Sequence, residues 1–315
     1  MSASCERLAR ALRPLAAALA CVGAPALLAA QAAEVCPAGE AGCARAAISA
    51  ADARARAALA VAGGSPLTGS ASTLGRRTAT SRHAGVSLRV SATGARALVP
   101  AGAGGDAAGE ATLVGLSVDG AVALFDGFFV APTVGGLLSV DLLGSAGWLG
   151  GGGPIDIDGA FTWGVGARVG VLRESFTLPG VSVSAVYRDV AALAAGDTAT
   201  GPAWAAEADA WSVRATVGKR IGAVDVLGGA GWDRTDGALS VTYASATGTR
   251  ESAGVRDLEH ARWSGFAGIG WTFLVFQAAG EVGWIGGGDG YADDAVGVPA
   301  PDGGAFGSLA FRFTY

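Results

Sequence analysis

Residues 161–171 read FTWGVGARVGV, and this stretch decides the fold. The odd-numbered positions carry aromatic or aliphatic side chains, while the even-numbered positions carry Thr, Gly or Arg. Successive side chains of a β-strand point to opposite faces, so this alternation makes one apolar face and one face of small or polar residues. The same period of two recurs in residues 86–91, 181–185, 211–217 and 309–315.

The composition is rich in glycine and poor in charge. The 315-residue chain has 52 Gly, 51% apolar residues and 16% charged residues, whereas ordinary globular chains have ~7% Gly and ~25% charged residues. The apolar content excludes a disordered tail protein, and a net charge of −5 argues against a nucleic-acid partner.

The N-terminus is predicted to be an export signal, residues 1–32. Three arginines precede an apolar stretch from Pro14 to Leu28, and Ala30-Gln31-Ala32 supplies a small-x-small cleavage pattern. An uncleaved anchor and lipid attachment at Cys21 are the alternatives. Cys36 and Cys43 remain in the exported chain and are predicted to form a structural disulfide, because no further metal ligands lie near them.

Ten segments show this alternation, and most of them have about the ~9–11 residues that a tilted membrane strand needs. They are 84–99, 112–125, 134–147, 160–173, 178–189, 208–219, 222–244, 261–273, 275–286 and 305–315. The alternation changes phase near Asp236-Gly237, but splitting 222–244 there would put long loops on both sides of the sheet. With 222–244 kept as one strand, short and long connections alternate along the chain. The short connections are 126–133, 174–177, 220–221 and the one around Leu274. The long connections are 100–111, 148–159, 190–207, 245–260 and 287–304.

This layout predicts an all-β protein, a closed antiparallel up-and-down transmembrane β-barrel. We expect about ten strands, with twelve as the alternative count, and a short helical N-terminal extension. The predicted domains are the signal peptide 1–32, an N-terminal extension 33–82 and the barrel 83–315.

The ionisable residues support the barrel independently, because each strand has one on its polar face. We expect these residues to line the lumen, since Arg or Lys on a lipid face costs ~2–4 kcal/mol at the bilayer midplane. The set is Arg89, Asp119, Asp141, Arg168, Arg188, Arg214, Asp225, Arg262, Glu281 and Arg312. In a soluble two-sheet sandwich, which is the alternative fold, these charges would point outward.

Aromatic residues on the apolar faces are predicted to form two girdles at headgroup level. Those expected toward the long loops are Trp148, Trp163, Tyr187, Trp211, Trp263 and Trp284, and those toward the short turns are Phe273, Phe276, Phe313 and Tyr315.

The last strand alternates Leu309, Phe311, Phe313 and Tyr315 with smaller or polar residues. It resembles the C-terminal assembly signal of bacterial outer-membrane β-barrel proteins. The resemblance implies insertion by the barrel-assembly machinery, contact with outer-membrane lipid and a location in the bacterial outer membrane.

The extension 33–82 contains an Ala-rich stretch, residues 44–62, with strong helix propensity. One interpretation is a periplasmic helix and linker. The other is a plug of the lumen, which resembles the N-terminal hatch of outer-membrane fatty-acid transporters.

Catalytic signals are sparse, and we expect neither an enzyme nor a cofactor. His260 lies near Asp257 and Glu259, which leaves a loop-borne protease as a remote alternative. Asp289, Asp293 and Asp294 are a weak candidate cation site. The sequence favours a narrow passive pore or a structural membrane barrel, with a plugged transporter for a hydrophobic small molecule as the alternative.

Overall fold

The computed structural model describes residues 35–37, 40–65, 70–75, 84–99, 109–129, 135–152, 155–158, 161–196, 202–245, 247–255, 259–286 and 303–315. The predicted signal peptide and its cleavage site lie outside the described residues, as does the Asp289, Asp293 and Asp294 cluster.

The described residues form one helix and thirteen strands. In chain order they are α1 (Ala41–Ala62), β1 (Val86–Val99), β2 (Gly109–Phe125), β3 (Ser139–Gly152), β4 (Ile155–Asp158), β5 (Phe161–Leu172), β6 (Gly180–Ala195), β7 (Ala203–Ile221), β8 (Val224–Asp236), β9 (Leu239–Ala244), β10 (Arg250–Val255), β11 (His260–Phe273), β12 (Phe276–Ile285) and β13 (Gly304–Thr314).

Ten of these strands close into an antiparallel barrel. The ring runs β1-β2-β3-β5-β6-β7-β8-β11-β12-β13, and it closes because β13 pairs with β1. The predicted fold class is confirmed, and the count is ten rather than twelve.

Three short strands extend the wall beyond the ring on the long-loop side. β4 pairs with the outer end of β6, while β9 and β10 form a hairpin against the outer end of β7. The predicted loops 148–159, 190–207 and 245–260 therefore contain strand. These pieces have only four to six residues beyond the ring, too few for the alternation to stand out from a loop.

The predicted strand 134–147 begins and ends about five residues too early, since β3 is Ser139–Gly152. Gly136 and Leu138 both have positive φ values, 80° and 57°, and they form a turn before the strand begins. The apolar residues of this turn continue the apolar pattern of the strand, so the predicted strand began too early.

The segment 222–244 keeps one register along β7. Asp236 pairs with Asp209, and Leu239 pairs with Ala206, with no shift between them. Odd-numbered side chains face inward on both sides of the interruption at Gly237, so the predicted phase change is wrong. The interruption instead changes the second neighbour, from β11 for β8 to β10 for β9.

The outward face of the ring is apolar. Leu309 and Phe311 are 70% and 73% exposed, as expected for side chains that meet acyl chains. Aromatic rings of neighbouring strands contact one another in edge-on or tilted pairs near both ends of the barrel. The pairs are Trp148–Phe161, Trp163–Tyr187 and Tyr187–Trp211 toward the long loops, and Phe276–Phe313 toward the short turns.

Helix α1 lies inside the barrel, and it starts three residues before the predicted stretch 44–62. Its 22 residues make a rod of about 33 Å. Residues 43–62 are buried except for Arg45, which is exposed. The helix ends at Ala62, and the next residue is Gly63, whose positive φ of 63° is one that glycine adopts without strain. Among the described residues, no helix is long and apolar enough to cross a membrane.

Candidate functional site: the filled lumen

The N-terminal segment fills the lumen from one mouth to the other. We call residues 41–65 and 70–75 the plug. The first turns of α1 lie among the outer ends of β6, β7 and β9. The plug then runs toward the short turns, where the carbonyl of Gly75 accepts a hydrogen bond from the amide of Gly85 at 3.1 Å.

The outer half of the plug is held by packing. The wall around α1 has small or apolar inward residues, which form one buried cluster with the helix alanines: Ala97, Ala111, Leu113, Leu149, Val190, Leu193, Ala206, Ala208, Ala210, Leu239 and Val241. At Gly115 the wall approaches the helix so closely that a Cβ would overlap the carbonyl of Ala60. An Ala-rich helix is narrow, and small wall residues let a ten-stranded barrel enclose it.

Directly after the helix, charged wall residues bind the backbone of the plug. Arg214 Nε donates to the carbonyl of Gly64 at 2.9 Å, and Arg89 Nη1 donates to the carbonyl of Ser65 at 2.8 Å. Glu281 accepts from the amide of Ser65 at 2.9 Å. We call Arg89, Arg214 and Glu281 the collar. The two guanidinium groups lie where the carbonyl end of the helix dipole favours cations.

The lower part of the plug is also held by polar contacts. Asp141 accepts from the amide of Leu74 at 3.1 and 3.2 Å, and the hydroxyls of Thr73 and Ser139 lie 2.5 Å apart. Arg168 donates to the carbonyl of Ser70 at 3.5 Å. Each end of this extended stretch is thereby bonded to the wall.

All ten ionisable residues predicted to line the lumen lie inside the barrel, each at most 8% exposed. Arg89 pairs with Asp119 across β1 and β2 at 2.7 Å, and Arg168 pairs with Asp141 across β3 and β5 at 2.6 Å. In each pair both guanidinium Nε and Nη2 donate to one carboxylate oxygen.

The other predicted residues find different partners. Arg214 pairs with Asp233 at 2.7 Å, and Asp225 pairs with Arg220 at 2.8 Å. Within the part of the chain that the structure describes, Nε and Nη1 of Arg188 have no hydrogen-bond partner. Arg312 has none at Nε within the same part.

Among the described residues, sequence reasoning missed four buried charged residues of the lumen: Asp52, Arg54, Arg56 and Asp233. Asp233 pairs with Arg214, and Asp52 and Arg56 come from the plug itself, where Asp52 accepts from Arg262 at 2.8 Å. Asp233 has the same parity as Asp225 on one predicted strand, so a full parity count would have found it. Asp52 is the lone acid of the Ala-rich helix, which was the signal that the helix has a specific partner.

The protease candidates do not assemble. His260 is the first residue of β11 and is buried, and its Nε2 accepts from Arg262 Nε at 2.6 Å. Glu259 is exposed and pairs with Arg234 instead. Asp257 lies outside the described residues. Among those described, no group of three or more His, Cys, Asp or Glu is arranged to hold a metal ion.

The outer end of the plug has a covalent restraint. Cys36 and Cys43 form a disulfide that ties the start of α1 to the chain before it. Nearby, in the hairpin beyond the ring, the Tyr243 hydroxyl donates to Glu251 at 3.3 Å. Burial, and then the charge of Glu251, raises the pKa of Tyr243, so the hydroxyl remains a donor.

Comparison with protein-family profiles gives no match, and comparison with curated protein sequences gives none. Among solved structures, the chain is similar to the outer membrane protease OmpT from Escherichia coli, with 11% identity over 77% of this chain and 100% of that one, at a TM-score of 0.37. It is also similar to the translocator domain of the autotransporter NalP from Neisseria meningitidis, with 10% identity, 75% and 90% coverage and a TM-score of 0.38.

The β domain of the Bordetella autotransporter BrkA gives 11% identity, 73% and 98% coverage and a TM-score of 0.37. The fold of this chain is a closed antiparallel β-barrel of ten strands, the architecture of the bacterial outer-membrane β-barrels named above. Likenesses of this size carry no functional argument, so the function has to be argued from the lumen.

Proposed function

We propose that the protein is a structural outer-membrane barrel whose lumen is sealed by its own N-terminal segment, and that it is not a passive pore. The observation that carries this proposal is the position of the plug, which occupies the lumen from the outer mouth to the short-turn mouth. At the level of the collar, a cavity of about 10 Å³ is lined by Ala62 and Gly64 of the plug and by Arg188 and Arg214 of the wall. That volume is about the size of one water molecule.

The wall charges support a sealed barrel rather than a water-filled channel. A channel needs charges that face water, whereas Arg89, Arg168 and Arg214 each bind both a wall carboxylate and the plug backbone. Hydrogen bonds to charged groups contribute ~1.5–3 kcal/mol each. Removing the plug would break several of them at once, so the plug is stably seated.

The direction of the plug gives the barrel an anchoring role. The start of α1 lies on the long-loop side, and the plug then passes through the lumen to the short-turn side, where β1 begins. Since long loops of such barrels face the exterior, the start of α1 and its disulfide lie at the outer mouth. The barrel thus holds its N-terminal segment across the membrane.

The proposal includes the export and membrane insertion that the sequence predicts. The signal peptide would be removed after Ala32, and the barrel-assembly machinery would read the final strand. The outward side chains of that strand, Leu309 and Phe311, would then contact outer-membrane lipid.

Planar-bilayer conductance tests the seal. We expect the full chain to be closed and a variant that lacks residues 41–75 to conduct steadily. Arg45→Gln is the matched control, because Arg45 is the exposed side chain of the same helix, and it should remain closed. A steady current through the full chain would refute the proposal. So would a deletion variant that folds but does not conduct.

A plugged transporter for a hydrophobic small molecule is the second candidate. A cavity of about 750 Å³ beside α1 favours it, because the cavity reaches the outer surface between β1 and β13. The variant Thr73→Cys with Ser139→Cys separates the two functions, since these side chains touch. Oxidation would lock the plug to the wall, which would stop uptake by a transporter and leave a structural barrel unaffected.

A further inference from the structure

The pairing between β1 and β13 stops short of the outer ends of these two strands. The pairing of these two strands ends at Ala95 and Phe306. Beyond that point β1 continues to Val99 along β2, and β13 is paired with β12 back to Gly304. The two strands therefore separate, each held by its other neighbour, and we call this opening the seam.

The cavity of about 750 Å³ lies at the seam and passes through the wall. Its lining includes Ala95 and Phe306, which face the lumen, and Arg96 and Trp284, which face outward. A cavity confined to one side of a barrel would have only one of these two sets. Its volume lies within the ~300–1,000 Å³ of small-molecule sites.

The plug helix brings charge to the inner end of the seam. Asp52 and Arg56 line the cavity, and Arg56 Nε donates to Asp52 at 3.1 Å. The guanidinium of Arg56 lies so close to Gly304 that a Cβ there would overlap it. Glycine at 304 is thus the residue that lets a buried cation reach the opening.

The charges of this group favour an anion. Asp52 is shared by two guanidinium groups, those of Arg56 and Arg262, and Arg96 lies at the outer lip. Among the described residues, the ionisable side chains that line the cavity are Asp52, Arg56 and Arg96, which have two positive charges and one negative charge. Guanidinium groups bind phosphate and carboxylate oxygens with charge-assisted hydrogen bonds.

The outer lip of the seam faces lipid at headgroup level. Trp284 is 56% exposed on the outward face near the long-loop end of β12, where the aromatic girdle of an outer-membrane barrel lies. Below it, the outward residues Val282 and Leu309 are apolar and exposed. An amphiphile at the lip would therefore have its polar part beside the opening and its chain along an apolar wall.

We propose that the seam binds a membrane amphiphile with an anionic headgroup, which enters laterally from the outer leaflet. The headgroup lies between β1 and β13 and contacts Arg96 and Arg56, while the alkyl chain stays on the outward face next to Trp284. The site needs the plug in place, because Arg56 comes from α1, but it does not depend on whether the barrel conducts.

Binding of dodecyl phosphate to the full chain tests this site. The protein is placed in nanodiscs of zwitterionic phosphatidylcholine, and bound dodecyl phosphate is counted by native mass spectrometry and titrated by calorimetry. We expect one saturable site, and no saturable binding of dodecyl maltoside, dodecyltrimethylammonium or inorganic phosphate.

Three variants locate the site. Arg96→Gln removes the cation at the lip, and Gly304→Val displaces the Arg56 guanidinium from the seam. Each should weaken binding by about tenfold, the loss of one charge-assisted hydrogen bond. Gly144→Val, on a lipid-facing position of β3 with open space around it, should bind as the unmodified chain does.

The outcomes that overturn the site are distinct from those that overturn the seal. Equal binding by all variants, or equal binding of dodecyl maltoside, would refute the seam site. Binding of inorganic phosphate as tight as that of dodecyl phosphate would show a free-anion site and refute the lipid. The heat-induced mobility shift of each variant reports its folding, and bilayer conductance of the same samples reports the seal separately.

Discussion

The two halves of the plug lie in the same lumen and are held by different interactions. Around α1 the wall residues are largely alanine, leucine and valine, and Arg262 of the wall forms an ion pair with Asp52 of the helix. Around residues 63–65 and 70–75 the wall contacts come from arginine, aspartate, glutamate and serine side chains, which form hydrogen bonds with the plug, most of them to its backbone.

The difference follows from where the backbone of each half finds its partners. A helix satisfies its own amides and carbonyls, so the wall around it is free to be apolar. The described residues 63–65 and 70–75 are not helical and lack this ladder of internal bonds, and buried backbone groups without partners are costly. The wall must therefore supply donors and acceptors there, and the inward charges do so.

The largest expected loss of stability is at the collar. Arg89→Ala removes the partner of buried Asp119 and the donor to the carbonyl of Ser65. Breaking a buried pair at one side costs ~3–5 kcal/mol, because a buried charge is left uncompensated. Thermal unfolding in detergent, followed by the mobility shift, would measure the loss. Arg45→Ala is the control, and equal losses at both positions would contradict the role of the collar.

A smaller loss is expected where the wall touches the helix. Gly115→Ala places a Cβ against the backbone carbonyl of Ala60, which is unable to rotate away. Overpacking of this kind costs ~1–3 kcal/mol. Gly120→Ala, on the same strand with nothing within 4 Å, should leave the unfolding temperature unchanged or raise it. If both variants unfold alike, tight packing does not hold the outer half.

The smallest effect is expected outside the lumen. Arg234 pairs with Asp236 at 3.2 Å and with Glu259, and its side chain is 38% exposed. Exposed ion pairs of this kind contribute ~0–1 kcal/mol. Arg234→Gln should therefore lower the free energy of unfolding by less than about 1 kcal/mol, and added salt should reduce even this difference. A loss as large as that of Arg89→Ala would show that burial is not what separates the two pairs.

Much of the barrel could be predicted from the sequence, because alternation along a strand is a local property. The parity of Phe161–Val171 places Arg168 inward, and the same rule works on all ten strands of the ring. Strand ends were predicted less well, since β3 is preceded by a turn of apolar residues and β4 has only four residues. Neither feature leaves a period that a sequence pattern reveals.

The residues of the candidate sites could also be predicted only in part. The wall charges were found one by one, but their partners on the plug were not, since Asp52 and Arg262 lie 210 residues apart in the chain. The seam was also invisible, because it depends on where the pairing of the first and last strands ends.

The sequence by itself determined an antiparallel barrel with an apolar outer face, a charged inner face and an Ala-rich helix before the first strand. These features follow from side-chain period, from the cost of charge in lipid and from helix propensity, all of which act between near neighbours. Only the tertiary structure decided that the helix lies in the lumen, and that Arg89, Arg214 and Glu281 bind its end. The width of the lumen and the chemistry of its wall are set only when ten strands close into a ring. Both properties decide whether a narrow Ala-rich helix fits inside, so neither could be predicted from local sequence.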